Sequence, residues 1–418
     1  MSHDARHIPI SDYDYPLPQD RIATHPLADR SASRLLVYRE GNITDDHFHR
    51  LPHYLPPGTA IVLNNTRVLQ ARLFFQKPTG GQIEIFLLEP YAQSVENALA
   101  AAGHAAWQCL IGGASKWKPG QVLRKTVTAA GREAVLTATY IKKLEDSFVV
   151  ELNWDPADTP FSDIVQSAGA MPLPPYIKRE ATAEDAARYQ TVFGQYEGSV
   201  AAPTAALHFT PELLETLRAG GCTTGFITLH VGAGTFKPVK AATLEGHHMH
   251  QEPFSVRLET IRHLLSAPRV VAVGTTSLRT LESLHWLGVK LANNLLNDDW
   301  SLGQWEAYEL DEKFPGTTAK ESLGALLRWM EENGTDSLSC RTSLLIAPGY
   351  TFRIPSGLIT NFHQPQSTLL LLISAFIGPN WRKVYDHALE NHYRFLSYGD
   401  SSLLWREGKT ERERGETS

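Results

Sequence analysis

EGSVAAPTAALHFTPELLETLRAGGCTTGFITLHVGAGTFKPVKAATLEGHHMHQE, which spans residues 197–252, contains the pattern from which the fold can be worked out. A loop of small residues leads into a helix, for which Thr204 and Thr210 are polar cap candidates. The β-branched and aromatic run 226–231 then predicts a strand, and glycines follow it at once. Glycine after a strand lets the backbone approach a ligand closely. We therefore expect this stretch to form the floor of an active site.

Three side chains in this stretch can carry protons near neutral pH. His230 lies at the end of the predicted strand, and His250 and Glu252 close a His-rich segment. His248 and His250 share one face of an extended segment, but the sequence offers no third ligand at a suitable spacing for a metal. We therefore expect acid–base or hydrogen-bonding work here, with a structural network as the alternative.

Composition indicates a globular protein without a membrane span. The chain has 418 residues, 42% of them apolar, which is enough for two domains or for one large domain with an insertion. The N-terminal residues lack the apolar region of a signal peptide, and the longest apolar run, 369–377, is far below the ~20 residues that a span needs. The three cysteines are far apart, so neither a disulfide framework nor a zinc knuckle is indicated. We expect a cytoplasmic protein.

Other predicted strands also end in polar residues: Asn65 and Arg67 after the run 60–63, Thr275, Thr276 and Ser277 after the run 269–273, and Asn361 and His363 after the run 357–360. Open α/β sheets bind ligands at the carboxyl ends of their strands. The local alternatives are an Asx-type turn at the first site and capping of the next helix at the second. No GxSxG elbow supports a serine nucleophile. The pattern thus favours a polar, nucleoside-like ligand without defining the reaction.

Residues 68–160 differ in character from the rest. Short β-rich runs alternate there with Gly/Pro turns, and helical periodicity is convincing only around 94–106. This predicts a small all-β, barrel-like domain inserted into a layered, mixed-sheet α/β domain made of residues 1–67 and 161–418. The Pro-rich run 171–177 is expected to be a stiff linker back to the larger domain.

Charge is unevenly distributed. The formal net charge of −6 argues against non-specific coating of nucleic acid. Residues 112–143, however, contain seven Lys or Arg and one acidic residue. That excess could meet phosphate, and a solvated face of a sheet is the alternative.

The C-terminal third predicts an amphipathic helix at 319–332 and a strand at 343–347. Residues 290–341, rich in Trp, Glu and Asp, suggest no chemistry of their own.

A set of short motifs runs in order over most of the chain: YPLP at 15–18, NNTRV at 64–68, GQIE at 81–84, MPLPPYI at 171–177, AAPTA at 201–205, LHF at 207–209, TLHVGAGTF at 228–236, VGTTS at 273–277, PGY at 348–350, TNFH at 360–363 and SYGD at 397–400. Each motif is weak alone, but the ordered set is specific. It resembles the S-adenosylmethionine:tRNA ribosyltransferase-isomerase family of queuosine biosynthesis. Against that family, the segment 290–341 is long, which suggests an interaction surface or a cover for the site.

The resemblance implies transfer and isomerisation of the ribosyl group of S-adenosylmethionine onto 7-aminomethyl-7-deazaguanine at the tRNA wobble position. The implied products are epoxyqueuosine-tRNA, adenine and methionine. S-adenosylmethionine would be a consumed substrate, with no cofactor and no metal, and we expect a monomer that contacts the tRNA anticodon arm.

The resemblance also implies roles for individual residues. His230 or His250 would be the base or acid, assisted by Glu252, and His363 would face the reacting centre. The other implied substrate contacts are Asn65, Arg67, Thr235, Thr275, Thr276, Ser277, Arg279, Asn361, Tyr398 and Asp400. The implied tRNA contacts are Lys116, Lys118, Arg124 and Lys125.

Two other classes compete with this interpretation. An S-adenosylmethionine-dependent RNA methyltransferase would carry a Gly-rich fingerprint after its first strand, which is absent here. A non-catalytic RNA-binding protein would use stacking aromatics and basic residues rather than His, Glu and Asn at strand ends.

Overall fold

The computed structural model describes residues 4–118, 120–232, 241–296 and 299–406. The chain divides into two compact units. The first unit consists of Met1–Asn65, Pro203–Leu229 and Phe236–Ser418, and the second consists of Thr66–Ala202 and His230–Thr235. The insertion predicted at 68–160 lies within the bounds of the second unit.

The described residues form nineteen strands: β1 (Arg34–Arg39), β2 (Asn42–His47), β3 (Thr59–Asn64), β4 (Thr66–Val68), β5 (Arg72–Gln76), β6 (Gln82–Pro90), β7 (His104–Gly112), β8 (Val122–Ala129), β9 (Arg132–Lys143), β10 (Phe148–Asp155), β11 (Gly169–Ala170), β12 (Tyr196–Ser199), β13 (Thr223–Leu229), β14 (Glu252–Arg257), β15 (Arg269–Val273), β16 (Ser301–Leu302), β17 (Ser337–Thr342), β18 (Gly357–Asn361) and β19 (Ser401–Trp405). The same residues form ten α-helices: α1 (Val95–Ala100), α2 (Phe161–Ala168), α3 (Ala183–Arg188), α4 (Pro211–Ala219), α5 (Leu258–Ser266), α6 (Thr275–Ala292), α7 (Glu306–Lys313), α8 (Ala319–Glu332), α9 (Thr368–Ile377) and α10 (Asn380–Glu390).

The first unit contains a ten-stranded mixed sheet with the order β16-β17-β14-β13-β3-β15-β18-β19-β1-β2. Its central strands β13, β3, β15 and β18 are parallel. Strands β14 and β19 flank these four and run antiparallel to them. Among these six strands, one edge of the sheet therefore collects the carboxyl ends of four and the amino ends of two. We call it the carboxyl edge, and its strand-end residues are Leu229, Asn64, Val273, Asn361, Glu252 and Ser401.

Burial explains why the central strands read as apolar runs rather than as alternating patterns. Every residue of β3 and of β18 is buried, as expected for parallel strands covered on both faces. Helix α6 is buried from Thr275 to Lys290, because it packs against β15 and α8. A Cβ on Gly288 would lie 2.3 Å from the carbonyl oxygen of Ser322 in α8, so a glycine allows the two helices to approach closely.

The long segment 290–341 builds part of this unit. Strands β16 and β17 extend one end of the sheet. Helix α8 has the predicted bounds 319–332, begins with a Thr318–Glu321 capping box and packs on α5 and α6.

The predicted strand at 343–347 is wrong, because β17 ends at Thr342. The following residues leave the ladder, and Leu345 and Ala347 pack into a separate apolar cluster with Leu371. An apolar run of this length cannot distinguish a strand from a buried irregular segment.

The second unit contains a seven-stranded antiparallel sheet with the order β11-β5-β6-β7-β10-β9-β8. The sheet curls, so that β8 contacts β5, and helix α2 contacts both strands. Phe161 of α2 packs against Trp107 and Trp154 in the core. The predicted fold class, a layered mixed-sheet α/β domain with an inserted barrel-like all-β domain, is confirmed. No helix in the described part of the chain is long and apolar enough to cross a membrane.

Candidate active site

The carboxyl edge brings together residues that are far apart in the sequence. Asn65 follows β3, Thr275 to Ser277 follow β15, and Asn361 ends β18. Glu252 begins β14, and Asp400 directly precedes β19. Side chains predicted from separate strand ends therefore belong to one edge of one sheet, the usual ligand position in an open α/β sheet.

The start of helix α6 is suited to an anionic group. Gly274 has a φ of 87° and connects β15 to the helix in a conformation that favours glycine. No described side chain caps the first turn, so helix capping by Thr276 or Ser277 is not what the structure shows. Ser277 is fully buried, and its hydroxyl has no hydrogen-bond partner among the described residues. The free N–H groups and dipole of a helix of 18 residues favour negative charge at this end.

Arg279 and Glu252 form a buried ion pair between α6 and β14. Nη2 of Arg279 donates to Oε2 of Glu252, and the two residues are only 7% and 8% exposed. Burial lowers the pKa of Arg279 to about 10, so its guanidinium remains charged at neutral pH. Glu252 is thus the counter-ion of Arg279, and this ion pair holds the Glu252 side chain at the carboxyl edge.

Asn65 is held by the neighbouring strand. Its side-chain oxygen accepts a hydrogen bond of 2.7 Å from the Thr228 hydroxyl, and its backbone N–H donates to Ile227 at 3.0 Å. The side chain therefore bonds across strands, which differs from the local Asx-type turn that the sequence left open.

Asn361 lies in a buried polar network. Its Oδ1 accepts from the Thr204 hydroxyl at 2.8 Å, and its Nδ2 donates to Nε2 of His208 at 3.4 Å and to the Asp400 carbonyl at 3.5 Å. Nδ1 of His208 lies 2.9 Å from the Ser33 hydroxyl. The network joins four chain segments at the carboxyl edge.

Asp400 and Tyr398 are buried in the final motif. The Asp400 carboxylate accepts from the backbone N–H groups of Arg34 at 3.0 Å and Arg394 at 2.8 Å, and from Nη2 of Arg394 at 3.1 Å. Asp400 thus ties the start of β1 to the loop before β19.

The ring of His363 packs back against the end of β18. Its Nε2 lies 2.8 Å from the Thr360 hydroxyl, and its backbone N–H donates to the Tyr385 hydroxyl at 3.0 Å. Burial lowers the pKa of His363 to about 3, so the imidazole is neutral at pH 7.

His230 follows Leu229 in the chain but belongs to the second unit. Its Nδ1 lies 2.9 Å from the Thr66 hydroxyl, and its Nε2 lies 4.0 Å from Oε1 of Glu96. A Cβ on Gly198 would come within 2.8 Å of the ring, so only glycine fits beside it. Burial lowers the pKa of His230, while Glu96 opposes that shift. The imidazole is therefore neutral and available as a base at neutral pH.

Other predicted residues differ in how they are placed. His250 is exposed in the first unit, and Arg67 pairs with Glu197 at 3.7 Å in the second. Thr235 lies outside the described residues. Within the described ranges, no group of three or more His, Cys, Asp or Glu side chains is placed to hold a metal ion.

Three of the four basic residues predicted to contact tRNA are exposed: Lys116, Lys118 and Arg124. Lys125 instead donates from Nζ to the Ala168 carbonyl at 2.6 Å, and burial lowers its pKa. The Lys125 ammonium is therefore hydrogen-bonded to the C-terminal residue of α2.

Sequence reasoning missed His208 as a functional residue and treated Thr204 only as a cap candidate. Thr210 does cap a helix, since its hydroxyl accepts from the Leu213 N–H at 3.2 Å, but the Thr204 hydroxyl bonds to Asn361. The one signal for both residues was their position in the AAPTA and LHF motifs.

Acid should destabilise the folded protein through its buried neutral histidines. Burial lowers the pKa of His208 to about 4, against an ordinary value near 6.5. Between pH 6.5 and 4 the unfolded chain binds a proton that folded His208 excludes, so the free energy of unfolding falls as the pH falls. Each such histidine adds up to ~1.4 kcal/mol per pH unit to the slope. Urea unfolding at pH 7, 6 and 5 measures the effect.

His208→Gln is the matched control, because its side-chain oxygen can still accept from Asn361 but does not titrate. In this variant the free energy of unfolding should depend less steeply on pH, and the difference in slope should correspond to the uptake of about one proton. An identical slope in the two proteins would show that His208 is not buried in its neutral form.

Comparisons with known proteins identify the family. Residues 10–404 match the family model described as queuosine biosynthesis protein. The chain is 40% identical over 406 residues to the S-adenosylmethionine:tRNA ribosyltransferase-isomerase of Azoarcus sp. (strain BH72), covering 95% of this chain and 97% of that protein. It is 37% identical over 403 residues to the protein of the same name from Pelobacter propionicus, covering 94% of this chain and 99% of that one.

A solved structure, that of S-adenosylmethionine tRNA ribosyltransferase from Thermotoga maritima, matches with 27% identity and a TM-score of 0.45. The match covers 94% of this chain and 100% of that chain. The relatives and the family model confirm the resemblance that the ordered motifs indicated, and the chain belongs to the queuosine biosynthesis family of S-adenosylmethionine:tRNA ribosyltransferase-isomerases.

Proposed function

We propose that the carboxyl edge of the first unit holds the S-adenosylmethionine from which this enzyme takes its ribosyl group. The enzyme transfers and isomerises that group onto 7-aminomethyl-7-deazaguanine at the wobble position of tRNA. The products are epoxyqueuosine-tRNA, adenine and methionine. S-adenosylmethionine is consumed as a substrate, and the proposed reaction uses neither a cofactor nor a metal.

The observation that carries the proposal is the uncapped start of α6 at the carboxyl edge. A carboxylate, such as that of the methionyl group, would gain the dipole and N–H groups of this helix end. Thr275 and Thr276 stand in the same turn, together with the Ser277 hydroxyl, which has no hydrogen-bond partner within the described part of the chain. Arg279 adds a buried positive charge one turn further along, already paired with Glu252.

The chemistry requires a base. The sulfonium of S-adenosylmethionine acidifies the adjacent C5′ protons, and a base removes one of them. Adenine departs more readily when a ring nitrogen is protonated, and the amine of the modified base attacks the sugar. We propose His230 or His250 as the base. We also propose that His363 acts at the reacting centre and that the further substrate-binding residues are Asn65, Arg67, Thr235, Tyr398 and Asp400.

For tRNA, we propose that the exposed basic residues of the second unit contact the anticodon arm. Charge reversal by Lys116→Glu and Lys118→Glu should weaken tRNA binding, and it should reduce the slope of log affinity against log salt by about one for each phosphate that the protein no longer neutralises. The affinity measured between 50 and 300 mM salt checks both effects.

Lys320→Glu is the matched control, since Lys320 is an exposed lysine on α8 in the first unit. It should leave the salt slope unchanged. An equal drop in affinity in the control would mean that net charge, and not the basic stretch, governs binding.

We further propose that the enzyme works as a monomer in the cytoplasm, where its tRNA substrate is found.

Product analysis tests the proposed reaction. The purified protein is incubated with S-adenosylmethionine and tRNA carrying 7-aminomethyl-7-deazaguanine, and free adenine and methionine are measured by chromatography. Both should appear only when the modified tRNA is present. Methyl transfer would leave adenine attached to its ribose, so S-adenosylhomocysteine without free adenine would overturn the proposal in favour of a methyltransferase.

A further inference from the structure

The hydrogens of the network around Asn361 can be assigned from its fixed ends. One end is the Asp400 carbonyl oxygen, which can only accept and lies 3.5 Å from the Asn361 amide. The nearby amide atom must therefore be the donor Nδ2, because a flipped amide would place two acceptors against each other. The other amide atom, Oδ1, then faces the Thr204 hydroxyl at 2.8 Å.

The second fixed end gives the same assignment. Nδ1 of His208 lies 3.4 Å from the Arg30 carbonyl oxygen, which can only accept, and 2.9 Å from the Ser33 hydroxyl, whose oxygen can also accept. A hydrogen on Nδ1 satisfies both contacts, whereas a bare Nδ1 would face the lone pairs of the carbonyl. Nε2 of a neutral His208 is then an acceptor, which is what the Nδ2 group of Asn361 requires at 3.4 Å. The ring cannot take a second proton without losing that hydrogen bond. Burial of His208 and its contact with Phe48, at 5.0 Å between ring centroids, hold the ring in place.

These assignments determine the hydrogen-bonding role of the Thr204 hydroxyl. Because Oδ1 of Asn361 can only accept, the hydroxyl hydrogen of Thr204 is committed to it, and the hydroxyl oxygen offers only lone pairs to any further partner. Thr204 is partly exposed, whereas Asn361 and His208 are buried. The neighbouring Ala205 lies against Gly274 at the start of α6, where a Cβ on the glycine would be 3.8 Å from that of Ala205. Thr204 therefore stands at the carboxyl edge beside the proposed donor site.

We infer that Thr204 is the residue of this network that contacts the substrate, and that it accepts a hydrogen bond from a ribose hydroxyl of S-adenosylmethionine. Asn361 and His208 are positioning residues, which hold the Thr204 hydroxyl as an obligate acceptor. This inference rests on the proposed function. It makes a specific demand on the ligand, because an acceptor selects a hydroxyl or an amine and disfavours an ether or carbonyl oxygen at the same position.

The test combines changes in the protein with changes in the ligand. Thr204→Val keeps the shape of the side chain and removes the hydroxyl, and Thr204→Ser retains the hydroxyl. Adenine release is measured with S-adenosylmethionine, and its 2′-deoxy and 3′-deoxy analogues are used as competitive inhibitors. With S-adenosylmethionine, Thr204→Val should lower kcat/KM by about tenfold or more, the loss of one hydrogen bond, and Thr204→Ser should stay within about threefold of the wild type.

The inhibition constants of the two analogues distinguish direct contact between Thr204 and the ligand from a purely structural role of Thr204. The analogue that lacks the contacted hydroxyl should bind wild type and Thr204→Val about equally, whereas the other analogue should keep the tenfold difference. A purely structural role would weaken both analogues by the same factor, and that result would overturn the inference. His208→Leu should reproduce the Thr204→Val pattern, and His208→Gln, which preserves the acceptor for Asn361, should restore most of the affinity.

The outcomes also separate this inference from the proposed function. Wild-type protein that releases no adenine contradicts the reaction itself. Active wild type with an equally active Thr204→Val contradicts only the role of Thr204. Should Thr204→Val fold poorly, judged by its unfolding temperature, Thr204→Ala removes the same hydroxyl with a smaller side chain and is subject to the same criteria.

Discussion

Glu252→Gln should lower the free energy of unfolding by ~3–5 kcal/mol, because it leaves the buried Arg279 charge without a counter-ion. Burial already lowers the pKa of Arg279, and its Nε has no hydrogen-bond partner among the described residues. The loss of Glu252 therefore removes the main compensation for a buried cation. Urea unfolding at pH 7 measures the effect.

Two controls bracket this result. Arg262 and Glu331 form a pair of 2.7 Å with exposed side chains, so Glu331→Gln should change stability by less than ~1 kcal/mol. The double variant Glu252→Leu/Arg279→Met removes both buried charges and should recover most of the stability that the single variant lacks. If Glu252→Gln unfolds at the same urea concentration as Glu331→Gln, the buried ion pair does not form as described.

Loss of the catalytic base should lower turnover by roughly 10²–10⁴-fold. The two candidates differ in their surroundings, since His230 is held by Thr66 and beside Gly198 whereas His250 is exposed. His230→Gln and His250→Gln are therefore compared for adenine release under saturating substrates. We expect one variant to show the full loss and the other to stay within about tenfold of the wild type.

The pH profile identifies the base independently. Burial lowers the pKa of His230, so if this residue is the base the wild-type rate should hold below pH 6.5 and fall only at more acidic pH. If both variants keep more than a tenth of the wild-type rate, neither histidine is the base.

The fold was predictable where local pattern and burial agree. Strands β3, β15 and β18 were all expected from apolar runs that end in polar residues, and the Thr318 capping box explains why α8 begins where the periodicity placed it. The prediction of a strand at 343–347 was wrong because the apolar residues of this run pack against partners more than 20 positions away in the sequence. Local periodicity carries no information about such partners.

The site was predictable in its members but not in their connections. Polar residues after strands pointed to Asn65, Ser277 and Asn361, since such positions converge in an α/β sheet. Ser33 and His208 are separated by 175 positions, and their hydrogen bond depends on the sheet order rather than on any local spacing. For the same reason the sequence does not predict the hydrogen bond between the Lys125 ammonium and the C-terminal residue of α2.

A crystal structure of the protein with bound S-adenosylmethionine would locate the donor site without any assumption about the reaction. We predict that the ligand lies at the carboxyl edge, with its carboxylate at the first turn of α6 near Thr276 and Ser277, and with a ribose hydroxyl within hydrogen-bond distance of Thr204. A ligand bound elsewhere in a catalytically active preparation, with the first turn of α6 making no contact to it, would contradict the proposed position of the site.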